Sequence, residues 1–167
     1  VALIRQATPE DAEAVVHMHT LAHEETYGDR LSAEFFHARR ASIPERVERR
    51  RPYLASGDPR IIAVDANNEV VGLADSGPGR DEDGPEALEL YSLYTLRRTR
   101  GSGLGAALLS AAIGESQAYL WVLENNARAL AFYLKHGFRF DGGRGQLPLE
   151  WEELPELRMV RSARAAL

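Results

Sequence analysis

Arg100 is followed by three glycines at alternate positions, Gly101, Gly103 and Gly105, between a strand-like run over residues 89–96 and an apolar helical stretch. That arrangement suits a pyrophosphate. Glycines remove side chains where backbone must approach a ligand, and a helix starting near Gly103 aims unpaired N–H groups and its positive dipole end at bound phosphate. Two other glycine motifs fit less well. A P-loop would need Lys and a hydroxyl residue where Ala106 and Ala107 stand. The dinucleotide fingerprint is met only loosely by Gly101-x-Gly103-x-x-Ala106, and the parallel repeat of a Rossmann domain does not follow.

A third motif fits. Arg100-x-x-Gly103-x-Gly105 resembles the Arg/Gln-x-x-Gly-x-Gly/Ala signature of the GNAT superfamily of acyl-CoA-dependent N-acyltransferases. Downstream, Asn126-x-x-Ala129-x-x-Phe132-Tyr133-x-Lys135-x-Gly137-Phe138 resembles that family's second cofactor-side signature. Residues 3–11 and 157–161 are similar to a GNAT opening and closing strand, whereas residues 24–58 carry no family signal. The resemblance implies an α/β fold: a mixed central sheet of six to seven strands flanked by helices, with a splayed central pair, in a single N-acetyltransferase domain over 1–167. It implies acetyl-CoA as co-substrate and no metal. The cofactor contacts carried over are Leu93, Tyr94, Thr95, Arg100, Gly101, Ser102, Gly103, Leu104, Gly105, Ala106, Asn126, Ala129 and Phe132.

Acetyl transfer to a protonated amine makes three demands. A base must remove a proton, and Glu89, eleven residues before Arg100, stands where many GNAT members carry a glutamate base. An N–H donor must face the developing oxyanion, a task the family gives to the central-strand backbone, here Leu93 to Thr95. The departing thiolate needs a proton, and Tyr133 matches the family's phenol; it lies seven residues, two helical turns, beyond Asn126. Each residue also has a plainer reading: Glu89 as a strand carboxylate paired with an arginine, Tyr133 as a core aromatic, and Asn126 as a helix cap. Where relatives often have Val-x-Pro, the chain has Thr95-Leu96-Arg97.

The elements that must position these groups are legible in part. Residues 3–7 form a first strand, ended by Thr8-Pro9, which caps a helix over residues 9–25. Ser32 caps a second helical segment, and Ile43-Pro44 breaks it before a third through residue 54. Strands are expected at 60–65 and 69–75 around an Ala66-Asn67-Asn68 hairpin turn, then an exposed loop from Gly77 to Pro85 and a central strand at 87–96. Helices at 104–113 and 127–136 end at Gly114 and Gly137, with strands at 119–123, 138–141 and 157–161.

Composition sets limits. A chain of 167 residues with 44% hydrophobic content suits one domain. No cysteine is present, which excludes disulfides and thiol chemistry and fits a reducing cytoplasm, the expected location. No run reaches membrane-helix length, and no basic-then-apolar export pattern opens the sequence. A net charge of −5 argues against nucleic-acid binding. Arginines 39, 40, 46, 49, 50 and 51 read as a solvated helix face, and the acidic runs at 81–86 and 150–156 as solvated loops or as attraction for a cationic amine. His19 and His23 lack a third ligand for zinc; one of them, or Tyr27, could line the acceptor site. The expected partner is an amine-bearing acceptor, with a small molecule slightly favoured over a peptide, and homodimerisation is left open. A non-catalytic acyl-CoA-binding or sensing module, and a nucleotide-binding protein, are the competing functions.

Overall fold

The computed structural model describes residues 1–162. Hydrogen-bonded strands follow the order β1-β2-β3-β4-β5-β7-β6 in one seven-stranded mixed sheet: β1 (Leu3–Gln6), β2 (Arg60–Val64), β3 (Val70–Pro78), β4 (Leu88–Thr95), β5 (Ala118–Leu123), β6 (Arg139–Gln146) and β7 (Pro155–Arg161). Five helices accompany them: α1 (Ala12–Tyr27), α2 (Ala33–Ala41), α3 (Ile43–Leu54), α4 (Leu104–Ile113) and α5 (Ala127–Lys135). The chain divides into two compact units, residues 1–76 with 92–114, and residues 77–91 with 115 onward.

In the first unit β1, β2 and β3 pair antiparallel, with Ile4 opposite Ala63 and Ile62 opposite Leu73. Every residue of β2 is buried, as a strand covered on both faces requires. One cover is α4, whose Leu104, Leu108, Leu109, Ala112 and Ile113 are buried and which lies against β1 and β2. Gly72 permits this approach: a Cβ there would stand 2.8 Å from the Leu108 side chain. The other helices pack mutually, α1 against α2 and α3. Ser32 Oγ caps α2 by accepting from the Phe35 amide, as expected. The first helix differs from expectation. Residues 9–11 form a 3₁₀ turn and the α-helix begins at Ala12, because the Asp11 carboxylate turns back to accept from the Thr8 amide at 2.8 Å and from Arg5.

In the second unit β5 and β7 pair antiparallel over six residues, and β6 adds to β7. The parallel ladder of β4 and β5 consists of Glu89 opposite Tyr119 and Leu90 opposite Leu120. Its core includes Tyr119, Leu120, Phe138 and Met159. Two expectations are corrected here. Gly77 is a buried strand residue rather than loop, since the Tyr91 hydroxyl occupies the space where its Cβ would stand. Strand β6 runs on through Gly142-Gly143-Arg144-Gly145, a stretch whose composition reads as loop, because a register shift between Phe140 and Arg144 with Gly142 at φ 90° lets it rejoin β7.

Candidate active site

The glycine turn of the first unit is built as the sequence implies. A 3₁₀ turn over Arg97–Thr99 is closed by the Thr99 amide and hydroxyl, both donating to Leu96 O. Gly101 and Gly103 then adopt φ of 79° and 83°, left-handed backbone that glycine enters at no steric cost. Gly103 is the N-cap of α4. A Cβ on either glycine would meet nothing within 4 Å, so the space in front of the turn is open for a ligand. Ser102 Oγ donates to Thr99 O at 2.6 Å and accepts weakly from the Leu104 amide at 3.3 Å, which fixes the turn's curvature. Leu104 is buried and anchors the helix start, while Gly105 and Ala106 present first-turn amides that have no carbonyl one turn back. Arg100 projects from the surface. Such a cradle of amides and left-handed glycines can accommodate a pyrophosphate.

Leu93, Tyr94 and Thr95 lie half-buried on β4. The Tyr94 hydroxyl meets that of Tyr27 at 3.1 Å, and the Tyr94 ring packs against His19 and His23 at centroid distances of 4.8 and 4.7 Å. Burial holds both histidines well below the usual imidazole range, so they are neutral near pH 7; for His23 the neighbouring His19 and Arg39 add to the effect, and for His19 three arginines do. His23 Nδ1 accepts from Arg39 Nε at 2.9 Å. Among the described residues no three His, Asp, Glu or Cys side chains gather as a metal site.

In the second unit Glu89 is 1% exposed and densely bonded. Its Oε1 accepts from Arg80 Nη2 at 2.7 Å; its Oε2 accepts from Arg80 N and Nε and from the Tyr119 hydroxyl, at 3.0 to 3.1 Å. The Arg80 guanidinium also stacks over Tyr91 at 4.2 Å. Oε2 thus accepts three of these four bonds, whereas Oε1 accepts one and keeps a lone pair for a further donor. Burial and the Glu89 charge raise the Tyr119 phenol above its ordinary value. Asn126 caps α5, its Oδ1 accepting from the Ala129 amide at 3.2 Å. On that helix Phe132 is half-buried and Tyr133 buried, with Tyr133 edge-on to Phe132 and Phe138.

Several groups near these sites were missed in the sequence. Arg80 and Tyr119, the partners of Glu89, leave no spacing signal. The arginine cluster is only partly a solvated face: Arg46 is 8% exposed, and burial pushes both Arg39 and Arg46 down to about 10. Arg46, Arg49 and Arg50 at i, i+3 and i+4 do share a helix face, a signal available from spacing alone. In the acidic loop at 81–86, Asp81 and Asp83 both accept from Arg158, and Asp81 also accepts from Trp121 Nε1.

Residues 12–138 match a family model described as the Acetyltransferase (GNAT) family. An L-methionine sulfoximine/L-methionine sulfone acetyltransferase of Pseudomonas aeruginosa is 34% identical over 92 residues, 52% of this chain and 54% of that protein. An uncharacterized N-acetyltransferase of Mycobacterium tuberculosis is 35% identical over 95 residues, covering 52% and 58%. The chain thus spans about half the length of the curated relatives it matches. Among solved structures, PaiA N-acetyltransferase from Thermoplasma acidophilum in complex with coenzyme A has a TM-score of 0.70 at 18% identity, over 98% of this chain and 99% of that one. A ribosomal-protein-alanine N-acetyltransferase from Brucella melitensis has a TM-score of 0.62 at 25% identity, over 95% and 98%.

Proposed function

The chain belongs to the GNAT acetyltransferase family, and from that premise we propose that it moves the acetyl group of acetyl-CoA to a primary amine by direct attack in a ternary complex. The reading takes residues 1–167 as one N-acetyltransferase domain acting in the cytoplasm. The observation that carries it is the glycine turn, with Gly101 and Gly103 left-handed, their Cβ positions open, and the first amides of α4 behind them. Acetyl-CoA supplies the activated acyl group and a thiol leaving group.

The chain's own groups have these proposed roles. Arg100 and the amides of residues 101–106 hold the pyrophosphate, and the backbone of Leu93 to Thr95 donates to the thioester carbonyl oxygen. Asn126, Ala129 and Phe132 contact the pantetheine arm, a role that Asn126 combines with capping α5. The Glu89 carboxylate accepts the ammonium proton of the acceptor, directly or through water, while Arg80 and Tyr119 orient it. The amine nitrogen bonds to the carbonyl carbon, the carbon–sulfur bond breaks as Tyr133 Oη protonates the thiolate, and the second proton that the nitrogen sheds on becoming an amide returns through water to the Tyr133 phenolate. A small acceptor is favoured by the Pseudomonas relative, whose name specifies L-methionine sulfoximine and L-methionine sulfone.

The test is release of free CoA from acetyl-CoA in the presence of a panel of small amines and lysine-bearing peptides, with the product identified by mass. An acetylated small amine is expected. Cofactor binding without CoA release from any amine would instead favour the acyl-CoA-binding or sensing module.

A further inference from the structure

An open-sided pocket of about 250 Å³ lies on the first unit, lined by Val16 and His19 of α1, Arg39 of α2, and Arg46, Arg49, Arg50 and Tyr53 of α3. At about 30 Å³ per water, that is room for a small organic group rather than a single solvent molecule. Four of its seven lining residues are arginines and none is acidic. Arg50 donates to Asp75 at 2.8 Å, and Arg49, largely exposed, stands 3.9 Å from Glu45. Arg46 is different. Buried at 8% exposure, it donates to Thr20 Oγ1 at 2.7 Å and Arg39 O at 3.3 Å, and among the described residues it has no carboxylate partner. The His19 Nε2 and Arg50 Nε atoms are also closed off from solvent and unbonded.

A buried guanidinium beside three others is costly unless an anion balances it, and paired forks of N–H donors match the oxygens of a carboxylate or phosphate. Two contacts tie this pocket to the reacting stretch of β4. The His19 ring packs on Tyr94, and Asp75, which holds Arg50, accepts from the Ser92 hydroxyl at 3.0 Å. Resting on the transferase reading, we propose that this arginine pocket holds an oxyanion of the acceptor, so that the molecule acetylated is a small amine bearing a carboxylate or a phosphate. Specificity then resides in α2 and α3.

Two readouts on the full chain test this. Calorimetric titration with inorganic phosphate is expected to show one saturable site that CoA does not displace, weakened about 10- to 100-fold by Arg46→Gln and regained only in part by Arg46→Lys, which restores the charge but not the fork. Should Arg46→Gln fail to fold, Arg39→Gln takes its place. In CoA-release assays, L-amino acids are compared with their carboxamides, and O-phosphoethanolamine with ethanolamine. At least one oxyanion-bearing member is expected to exceed its neutral counterpart about tenfold or more in kcat/KM, with Arg46→Gln erasing the preference through KM. Which pair responds distinguishes carboxylate from phosphate. Absence of a saturable phosphate site, equal turnover within every pair, or displacement of phosphate by CoA would each overturn the inference. A phosphate site with the expected Arg46 dependence, but no CoA release from any amine, would refute the transferase reading and with it the assignment of the anion to an acceptor.

Discussion

Gly103 allows backbone conformation and cofactor approach to be separated. At φ 83° an alanine pays the left-handed penalty, about 1–2 kcal/mol, yet its Cβ meets no protein atom within 4 Å. For a chain of this size that loss lowers Tm by roughly 2–8 °C, leaving Gly103→Ala folded. Gly57, in the connection between α3 and β2, supplies the control: its φ is 88° and its Cβ position is equally open. Gly57→Ala should therefore lose similar stability. Only Gly103→Ala places a methyl group in front of the first amides of α4, where the pyrophosphate is proposed to lie. Losing one charge-assisted hydrogen bond there is worth about 1.5–3 kcal/mol, roughly 10- to 150-fold in Kd. The assay is paired: melting of both variants without ligand, then acetyl-CoA titration of each by calorimetry. Matching Tm losses with weakened acetyl-CoA binding in Gly103→Ala alone is the expected result. Unchanged affinity in a folded Gly103→Ala, or equal weakening in both variants, would refute the loop assignment.

Tyr133→Phe should lower kcat about 10²-fold or more while leaving the affinity for acetyl-CoA nearly unchanged, measured by steady-state kinetics beside a binding titration; an unaltered kcat would remove the phenol from proton transfer. Glu89→Gln keeps the shape of the buried side chain but cannot take a proton, so kcat should fall about 10²-fold or more and the rising limb of the pH–rate profile should vanish. If both survive, Glu89 serves only to hold Arg80 and Tyr119. The Arg5 guanidinium holds Asp11 down to about 2. Because this folded value lies below the unfolded one near ~4, the pair's contribution is complete above pH ~4 and is lost as pH falls toward 2. After allowance for solvent screening it is about 1–2 kcal/mol. Arg5→Gln should destabilise the chain by that amount at pH 7 and by far less near pH 2, in denaturant melts at the two pH values; an equal loss at both would contradict the linkage.

Sequence reasoning located what depends on local chemistry. The αL turn at 101–103, the span of α4, the Ser32 cap and the break at Pro44 follow from glycine, serine and proline at particular positions, and each is where the motif puts it. What it missed depends on partners distant in the chain. Glu89 reads as a base or as a strand carboxylate paired with an arginine, and an arginine is there, but nothing in its neighbourhood foretells that it is Arg80 or that Tyr119 joins it. The arginines of α2 and α3 read as solvated because composition does not reveal that α1 lies over them. Glycines at 142, 143 and 145 suit a loop, and only pairing with β7 carries strand β6 through them.

The central claim is that acetyl-CoA is the ligand of the glycine turn, and its most direct test is a thermal-shift titration of the full chain with acetyl-CoA, with ATP and NAD as controls. A ligand bound only by the native state stabilises it by about 2.7 kcal/mol at a hundredfold excess over Kd, roughly 5–11 °C in Tm for this chain length. Acetyl-CoA alone should give that rise. No shift at saturating acetyl-CoA, or an equal shift with ATP or NAD, would contradict the account.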